Sequence, residues 1–595
     1  MFVGNFKGNI PQCDLKTLKQ YGGIACNECS YYKDGEIEII FQGSLCNKPR
    51  LGLENITNDA EVVFLLYKQT KCFSRLDGSF TFIVTDNRST IIVRDHHGTN
   101  SQVYYNDNYF ASSLSLLRKS PDCSSSINRK ALGSFLSIGY ISSGETSFEN
   151  IHKLNAGTML IYKDGKCSTK NLFDTSLIVP VECGNDINAL SEQYATLHSQ
   201  SIRRRIDGKN NIGILLSGGY DSGANLAALR KIYNGDIRSY TVGFKGDNWS
   251  ELPLAQCMSD KFGTIHKQYE IDGSEIFALP DIVRTFGDPF VEGGLMVNYT
   301  AMRMIGTAKP DVILGGDGND QYFGTSAREI AIHYLAAKYG VKPLLTATYN
   351  ILSHDIFDRS NTSYRIRFHL SKILNILQGD MFGFERFNLH KLLNDTNSMP
   401  IKEHVKYDCR SFEHLYTQHA YQTDLEKTIN QVILFKASQT AQMFGNKIAF
   451  PFMDLELYKF LEHLPVRYKC QGDTAFKIAR GESTSKILLK HHYHSLLPEA
   501  ITSKTKQGGF APMPIFFKEK AQRSKLADYI MQSSLTDEYL NRRYVEQFIK
   551  KYDTEADDNS KWFWYKQNNA IKYFNLLTLA IWWEQFVKLK ESTLI

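Results

Sequence analysis

The chain predicts two domains in series: a β-rich front part, then an α/β part built on a doubly wound parallel sheet. Three observations lead there. At 595 residues it exceeds what one hydrophobic core holds together. Its first 175 residues are short alternating or apolar runs broken by Asp-Gly and Asn-rich turns. From Ala189 onward, helical and strand patterns alternate, which is the signature of βαβ units.

In the front part, the runs Ile37–Phe41, Phe80–Asp86, Thr90–Arg94 and Thr158–Tyr162 read as strands. The pattern lapses in DTSLIVPVECGNDIN, residues 174–188, so residues 176–190 are assigned as a linker between domains 1–175 and 191–595. In the rear part, the strand Ile212–Leu216 runs into a Gly-rich turn and the helix Gly223–Tyr233. The strand Ile237–Phe244, the helix Glu251–Phe262 and the strands His266–Ile271 and Val312–Leu314 follow. Beyond about Ile330 the chain becomes mainly helical and ends in LLTLAIWWEQFVKLK, read as an amphipathic helix.

Composition narrows the function classes. A net charge of +6 from scattered basic residues is too weak a field for nucleic acid to be the main partner. No apolar run is long enough to span a bilayer, and the first residues lack a signal-peptide pattern, so the cytoplasm is the expected address. In that setting the eleven cysteines are expected to be reduced thiols. Cys26 and Cys29 form a CxxC without a second ligand pair, so they are read as small apolar residues rather than a zinc site.

The chemistry concentrates in Leu215–Gly223, which reads LLSGGYDSG at a strand-to-helix junction. Ser217, Gly218 and Gly219 let backbone N–H groups approach an anion with little side chain in the way. Ser222 adds a hydroxyl where the helix dipole already favours negative charge. Asp221 would sit badly beside phosphate without a cation, and is read as a Mg²⁺ ligand. The turn lacks the GxxxxGK of a Walker loop. SGGxDS resembles instead the pyrophosphate loop of enzymes that split ATP between its α and β phosphates. A second loop, LGGDGNDQYFG at Leu314–Gly324, also ends an apolar strand, and ligands of open α/β sheets sit beyond such carboxyl ends. Asp320, with Asp317 as a further candidate, would join Asp221 around Mg²⁺.

With both loops in view, the chain resembles the asparagine synthetase family over nearly its full length. In front, the resemblance rests on LDGSFTFIVTD, VRDHHGTNSQVYYNDNYFASS and FLSIGYISSGETSFENIHKLNAGTML. In the rear it rests on SYTVGF, Glu251, Ala255, GTIH, the GDP of Gly287–Pro289, the PFMD of Pro451–Asp454, and SKTKQGGFAPMP at Ser503–Pro514. It implies an N-terminal-nucleophile front fold, two stacked β-sheets flanked by helices, and a pyrophosphate-loop rear domain with a helical extension. It further implies ATP and Mg²⁺, with Leu216, Val242, Gly315 and Gly316 lining adenine and ribose, and Lys506 neutralising charge on phosphate.

The departures carry as much information. Family glutaminases use Cys at position 2 as nucleophile; here it is Phe2, and the first cysteine is Cys13. The glutamine-clamping N-G-E appears as Gln42, Gly43 and Ser44. Glutamine hydrolysis is therefore expected to be lost. Before PFMD the family carries Glu-x-Arg, where Lys447 and Ala449 stand, and Gln321 replaces a Glu. These changes put both aspartate as the acid and ammonia as the nucleophile in doubt. β-Lactam synthetases and lasso-peptide cyclases, which close an amide within one molecule, share such losses.

The expected chemistry is attack of a small-molecule or peptide carboxylate on ATP to give an acyl-adenylate, then attack by an amine or ammonia. A second copy of the chain or a pathway protein remains open as a macromolecular partner. The rival readings are a tRNA-modifying pyrophosphate-loop enzyme, which would call for a basic RNA-binding face, and a non-catalytic scaffold.

Overall fold

The computed structural model describes residues 1–8, 18–121, 123, 125–142, 144–173, 178, 184, 186–246, 250–306, 308–324, 326–379, 381–400, 407, 410–472, 474–503 and 511–594. The front part is built on two six-stranded antiparallel sheets. One runs β10-β8-β9-β1-β3-β2, from β1 (Phe2–Asn5), β2 (Lys19–Tyr21), β3 (Ile24–Cys26), β8 (Tyr104–Tyr105), β9 (Tyr109–Ala111) and β10 (His152–Lys153). The other runs β12-β11-β7-β6-β5-β4, from β4 (Ser30–Asp34), β5 (Ile37–Leu45), β6 (Gly78–Thr85), β7 (Ser89–Arg94), β11 (Thr158–Lys163) and β12 (Lys166–Asn171). Alternation divides the second sheet's residues between two cores. Ile40, Ile83 and Ile92 pack with Phe2 and Phe110 of the first sheet. Phe41, Phe82 and Val93 pack with the helix Asp59–Gln69 on the other side.

The rear part holds a five-stranded parallel sheet in the order β15-β14-β13-β16-β17. Its strands are β13 (Ile212–Leu215), β14 (Ile237–Phe244), β15 (Ile265–Ile271), β16 (Val312–Leu314) and β17 (Ile448–Ala449). The central β13 and β16 are short apolar runs, as strands covered on both faces should be. The chain order reverses between β13 and β16, so the loops after those two strands open side by side. The fifth strand, β17, is two residues long and carried no readable pattern of its own.

Two expectations need correction. The C-terminal segment is no amphipathic surface helix: Phe563–Trp582 continues into Trp583–Val587, and every residue from Ala570 to Trp583 is buried. A helix apolar around its circumference is an interior one, and this one spans both parts, with Trp582 packing on Phe148 and its Nε1 donating to the Gly287 carbonyl at 2.8 Å. The second correction concerns Cys26 and Cys29, which form a disulfide instead of resting as two apolar thiols. Cys26 lies on β3 opposite Phe2, with two residues between it and its partner. Cys46, Cys72, Cys123, Cys167, Cys257 and Cys470 are free. The linker expected at 176–190 lies largely outside the described residues; the helix Ile187–Ile206 begins at its end.

The two parts are joined by buried charge. Arg204 and Arg205, from the helix Ile187–Ile206, pair with Asp454, and Arg205 also reaches Asp77 of the front part at 3.6 Å. Asp454 in turn caps the helix Leu455–Glu462, accepting from the backbone N–H groups of Glu456 and Leu457. Asp288 of the GDP segment accepts from the Ser147 hydroxyl at 2.6 Å and lies 3.9 Å from Lys153. Two motifs that look functional in sequence are thus occupied in holding the domains together. Among the described residues, no helix is long and apolar enough to cross a membrane.

Candidate functional site

The turn after β13 is organised around its serines. The Ser217 N–H donates to Ser222 Oγ at 3.1 Å, the two hydroxyls lie 2.9 Å apart, and the Gly219 N–H donates to Ser217 Oγ at 3.2 Å. Gly219 precedes the helix Tyr220–Ile232 without any side-chain cap, leaving that N-terminus without the usual cap acceptor. The Gly218 N–H instead meets an anion from the protein itself, Glu251 Oε2, at 3.3 Å. Gly218 has to be glycine, because a Cβ there would come 2.9 Å from the Leu254 side chain.

The second loop closes against the first. Asn225, fully buried one turn into the helix, donates to the Gly315 carbonyl at 3.0 Å. Gly316 lies where a Cβ would be 3.4 Å from the Ser222 nitrogen, and Asn319 Nδ2 donates to Asp221 Oδ1 at 2.7 Å. Gly315 is tied into the sheet by donating to the Ala449 carbonyl at 2.9 Å, so β17 sets its position.

Lys486, which sequence reasoning missed, sits between the two aspartates. Its ammonium pairs with Asp221, and with Asp320 at 2.7 Å. The residue is 6% exposed, and the two carboxylates raise its proton affinity well above the ordinary lysine value despite burial. It follows the short ribbon of β18 (Cys470–Gln471) and β19 (Thr484–Ser485) and precedes the helix Ile487–Tyr493. Its φ of 60° is a left-handed conformation that costs a non-glycine residue about 1–3 kcal/mol. The only sequence signal was a lysine between a polar turn and an apolar helix, in STSKILLK.

Of the other expected residues, Ser217, Gly218, Gly219, Asp221, Ser222, Gly315, Gly316 and Asp320 are brought together as described. Asp317 joins them: burial pushes its carboxyl up to about 6, offset by Lys436. Lys436 is itself paired with Glu292. Leu216 is buried, its carbonyl accepting from Thr241 Oγ1 at 2.6 Å, and Val242 is half-buried on β14. Lys506 and Cys13 lie outside the described residues. The expectation that Lys447 reverses the charge within the crevice meets a different geometry. Lys447 is exposed just before β17, and its charge is felt by Asp311 ahead of β16, on the side away from the two loops.

The donor set suits a magnesium ion shared with phosphates better than a dedicated protein cage. Two carboxylates already converge on one cationic group, that of Lys486, and no cluster of three or more His, Cys, Asp or Glu able to hold a metal occurs among the described residues.

The front part shows where a family nucleophile would be. Phe2 is 1% exposed, its N–H donating to Ser112 Oγ at 2.9 Å. Gln42 is spent internally, donating to the Asn27 carbonyl at 2.7 Å and accepting from Ser101 Oγ at 3.2 Å. Gly43, at φ 108°, passes so close to β6 that a Cβ would fall 1.9 Å from the Ser79 carbonyl oxygen.

Comparison with known proteins gives two family matches. The family model "Asparagine synthase" matches residues 193–584, and "Glutamine amidotransferase domain" matches residues 30–173. The chain is 25% identical over 565 residues to asparagine synthetase [glutamine-hydrolyzing] 1 of Bacillus subtilis, covering 90% of this chain and 84% of that protein. It is 26% identical over 316 residues to putative asparagine synthetase [glutamine-hydrolyzing] 2 of Methanocaldococcus jannaschii, covering 49% of this chain and 60% of that one. Among solved structures, an NH3-dependent NAD synthetase from Campylobacter jejuni aligns over 24% of this chain and 62% of its own, at 14% identity and a TM-score of 0.18, too low to bear on function. With the family model spanning most of its length, the chain belongs to the asparagine synthase family of ATP-dependent amide ligases.

Proposed function

We propose that this chain activates a carboxylate as an acyl-adenylate and joins it to an amine without drawing nitrogen from glutamine. The observation that carries the synthetase half is the convergence of Asp221, Asp320 and Lys486 where the two loops meet at the sheet's switch point. The front half is carried by Phe2, a buried hydrocarbon where a nucleophile is required.

In this reading the N–H groups of Ser217, Gly218 and Gly219 and the Ser222 hydroxyl receive the β and γ phosphates of ATP, displacing Glu251 from Gly218. Leu216, Val242, Gly315 and Gly316 face the nucleoside. Asp221 and Asp320 hold Mg²⁺, which supplies charge neutralisation to the phosphates. Lys486 then swings from the aspartates to the α-phosphate, where negative charge grows as pyrophosphate departs. Lys506 is assigned the same electrostatic role by resemblance. The substrate carboxylate attacks the α-phosphorus, pyrophosphate leaves, and the amine attacks the acyl carbon and expels AMP. Ala449, in place of a family arginine beside Gly315, favours an acid other than aspartate and keeps an intramolecular amide-forming reaction as the second reading.

The test is ATP–pyrophosphate exchange with Mg²⁺ and a panel of carboxylic acids. Exchange stimulated by one class of acid names the first substrate; substrate-dependent ADP in place of AMP would overturn the assignment.

A further inference from the structure

The Asp221 carboxylate is gripped on both of its oxygens. Oδ2 pairs with the Lys486 ammonium, and Oδ1 accepts from Asn319 Nδ2 at 2.7 Å. Asn319 Oδ1 accepts in turn from the Tyr194 hydroxyl at 2.6 Å. Tyr194 belongs to the helix Ile187–Ile206, outside both nucleotide loops, and it and Asn319 are each 0% exposed. A dry chain of two hydrogen bonds thus runs from that helix, through the second loop, to the aspartate of the first.

The chemistry at its end dictates the direction of each bond. A carboxylate only accepts, so Asn319 turns its NH2 group to Asp221 and its carbonyl to Tyr194, and the tyrosine has to donate. Burial raises the proton affinity of the Tyr194 phenol well above its ordinary value, which keeps that donor in place. The ring is fixed by its neighbours: it stacks on His198 at 6.3 Å between centroids and meets Phe323 edge-on at 5.7 Å. His198, one turn along the same helix, meets Asn225 Oδ1 at 2.7 Å, and Asn225 holds the Gly315 carbonyl. The second loop therefore has a tie of its own to this helix. Loss of the Tyr194 hydroxyl would loosen Asn319 and Asp221 and leave Gly315 docked.

We propose that Tyr194 and Asn319 are positioning residues for Asp221. Together they fix one carboxylate oxygen so that the other points at the cation it serves, Lys486 without nucleotide and Mg²⁺ with it. The inference rests on the proposed role of Asp221 at Mg²⁺ and goes beyond it by naming the residues that set its direction. Neither residue touches metal or nucleotide in this arrangement; both act through Asp221. With its hydroxyl partner removed, the buried Asn319 carbonyl is left unsatisfied and the amide is free to turn, so the carboxylate loses its fixed bearing. Partners one step behind a metal ligand commonly govern metal affinity by about ten- to a hundredfold.

The test is calorimetric titration of the full chain with α,β-methylene-ATP, which resists cleavage between the α and β phosphates, first in excess Mg²⁺ and then in EDTA. Tyr194→Phe is expected to bind about tenfold more weakly than the parent in Mg²⁺, and as the parent does in EDTA. Phe keeps the ring between His198 and Phe323, so the variant should fold, and a cooperative unfolding transition verifies this. Asn319→Leu, of similar shape, breaks the chain at its middle and should give the same pattern; it carries the test if Tyr194→Phe does not fold. Equal weakening in Mg²⁺ and in EDTA would mark general damage to the loops and overturn the inference. A parent and variants that bind equally in Mg²⁺ would overturn this inference alone. A parent that binds no nucleotide in Mg²⁺ would overturn the proposed function, and this inference with it.

Discussion

Replacing Lys486 by Met would remove the cation that, among the described residues, bridges Asp221 and Asp320, while nearly keeping its volume. Taking away one member of a buried ion pair costs about 3–5 kcal/mol, because the remaining charge stays desolvated. Here two carboxylates remain, but the Asp320 side chain is 32% exposed, and water screens its share. We therefore expect a loss of about 3 kcal/mol. The pH dependence follows from the direction of the shift. Lys486 has its folded-state affinity for protons raised, so its contribution is fully present below the ordinary value of 10.5 and is lost only as pH rises through the higher folded value. The parent's share is thus flat from about pH 6 to 9. Added Mg²⁺ should recover part of the loss, since the freed carboxylates then bind the native state's metal. The assay is the midpoint of the first denaturant transition at pH 7.5, with and without Mg²⁺. A midpoint equal to the parent's at pH 7.5, unmoved by Mg²⁺, would refute the idea that these three groups act as one charge unit.

Other perturbations follow from the same geometry. Asp221→Asn and Asp320→Asn should each cut turnover roughly a hundredfold or more, measured as pyrophosphate release, and near-parental rates across a Mg²⁺ titration would remove that aspartate from the site. Lys469 is fully buried with no hydrogen-bond partner for its ammonium, and burial pulls it from 10.5 down to about 7. A depressed lysine costs stability as pH falls from the unfolded value towards the folded one, here on the order of 5 kcal/mol in all. Lys469→Met should accordingly be more stable than the parent at pH 7 and no more stable near pH 11; a destabilised variant at pH 7 would show the amine to be satisfied. Phe2→Cys should release no glutamate from glutamine above a no-enzyme control, because Gln42 remains committed to Asn27 and Ser101.

Legibility in the sequence followed the range of the interactions involved. Four strands of the second front sheet, four of the rear strands and the two nucleotide loops depend on local pattern, alternation in front and Gly-rich turns after apolar runs behind, and so could be placed from residues alone; the two- to four-residue strands of the first front sheet were too short to show a period. β17 could not, because two residues have no period; it exists through its pairing with Ile313 and Leu314. The last helix misled for a related reason. An apolar run interrupted by Thr578, Asn575 and Gln585 looks amphipathic until the partners of those polar groups are known, and Asn575 and Gln585 donate to the Phe382 and Pro280 carbonyls. Polar groups with internal partners do not mark a wet face.

Lys486 is the case where long-range geometry changes an inference rather than extending it. From sequence, two aspartates expected at one metal site imply like-charge repulsion in the metal-free protein, so neutralising either should leave stability unchanged or raise it. With the Lys486 ammonium between them, the site already carries its own counter-charge, and Asn at 221 or 320 removes a partner from a nearly buried cation. The expected sign reverses: both variants should unfold earlier than the parent without ATP. Asp221→Asn should lose more, since its side chain is 17% exposed against 32% for Asp320 and its single amide oxygen cannot serve both Lys486 and Asn319. Under the proposed function, Mg-ATP would have to displace that ammonium from Asp221 and Asp320, which would tie nucleotide binding to release of Lys486 and make the lysine available to the α-phosphate only when nucleotide is present.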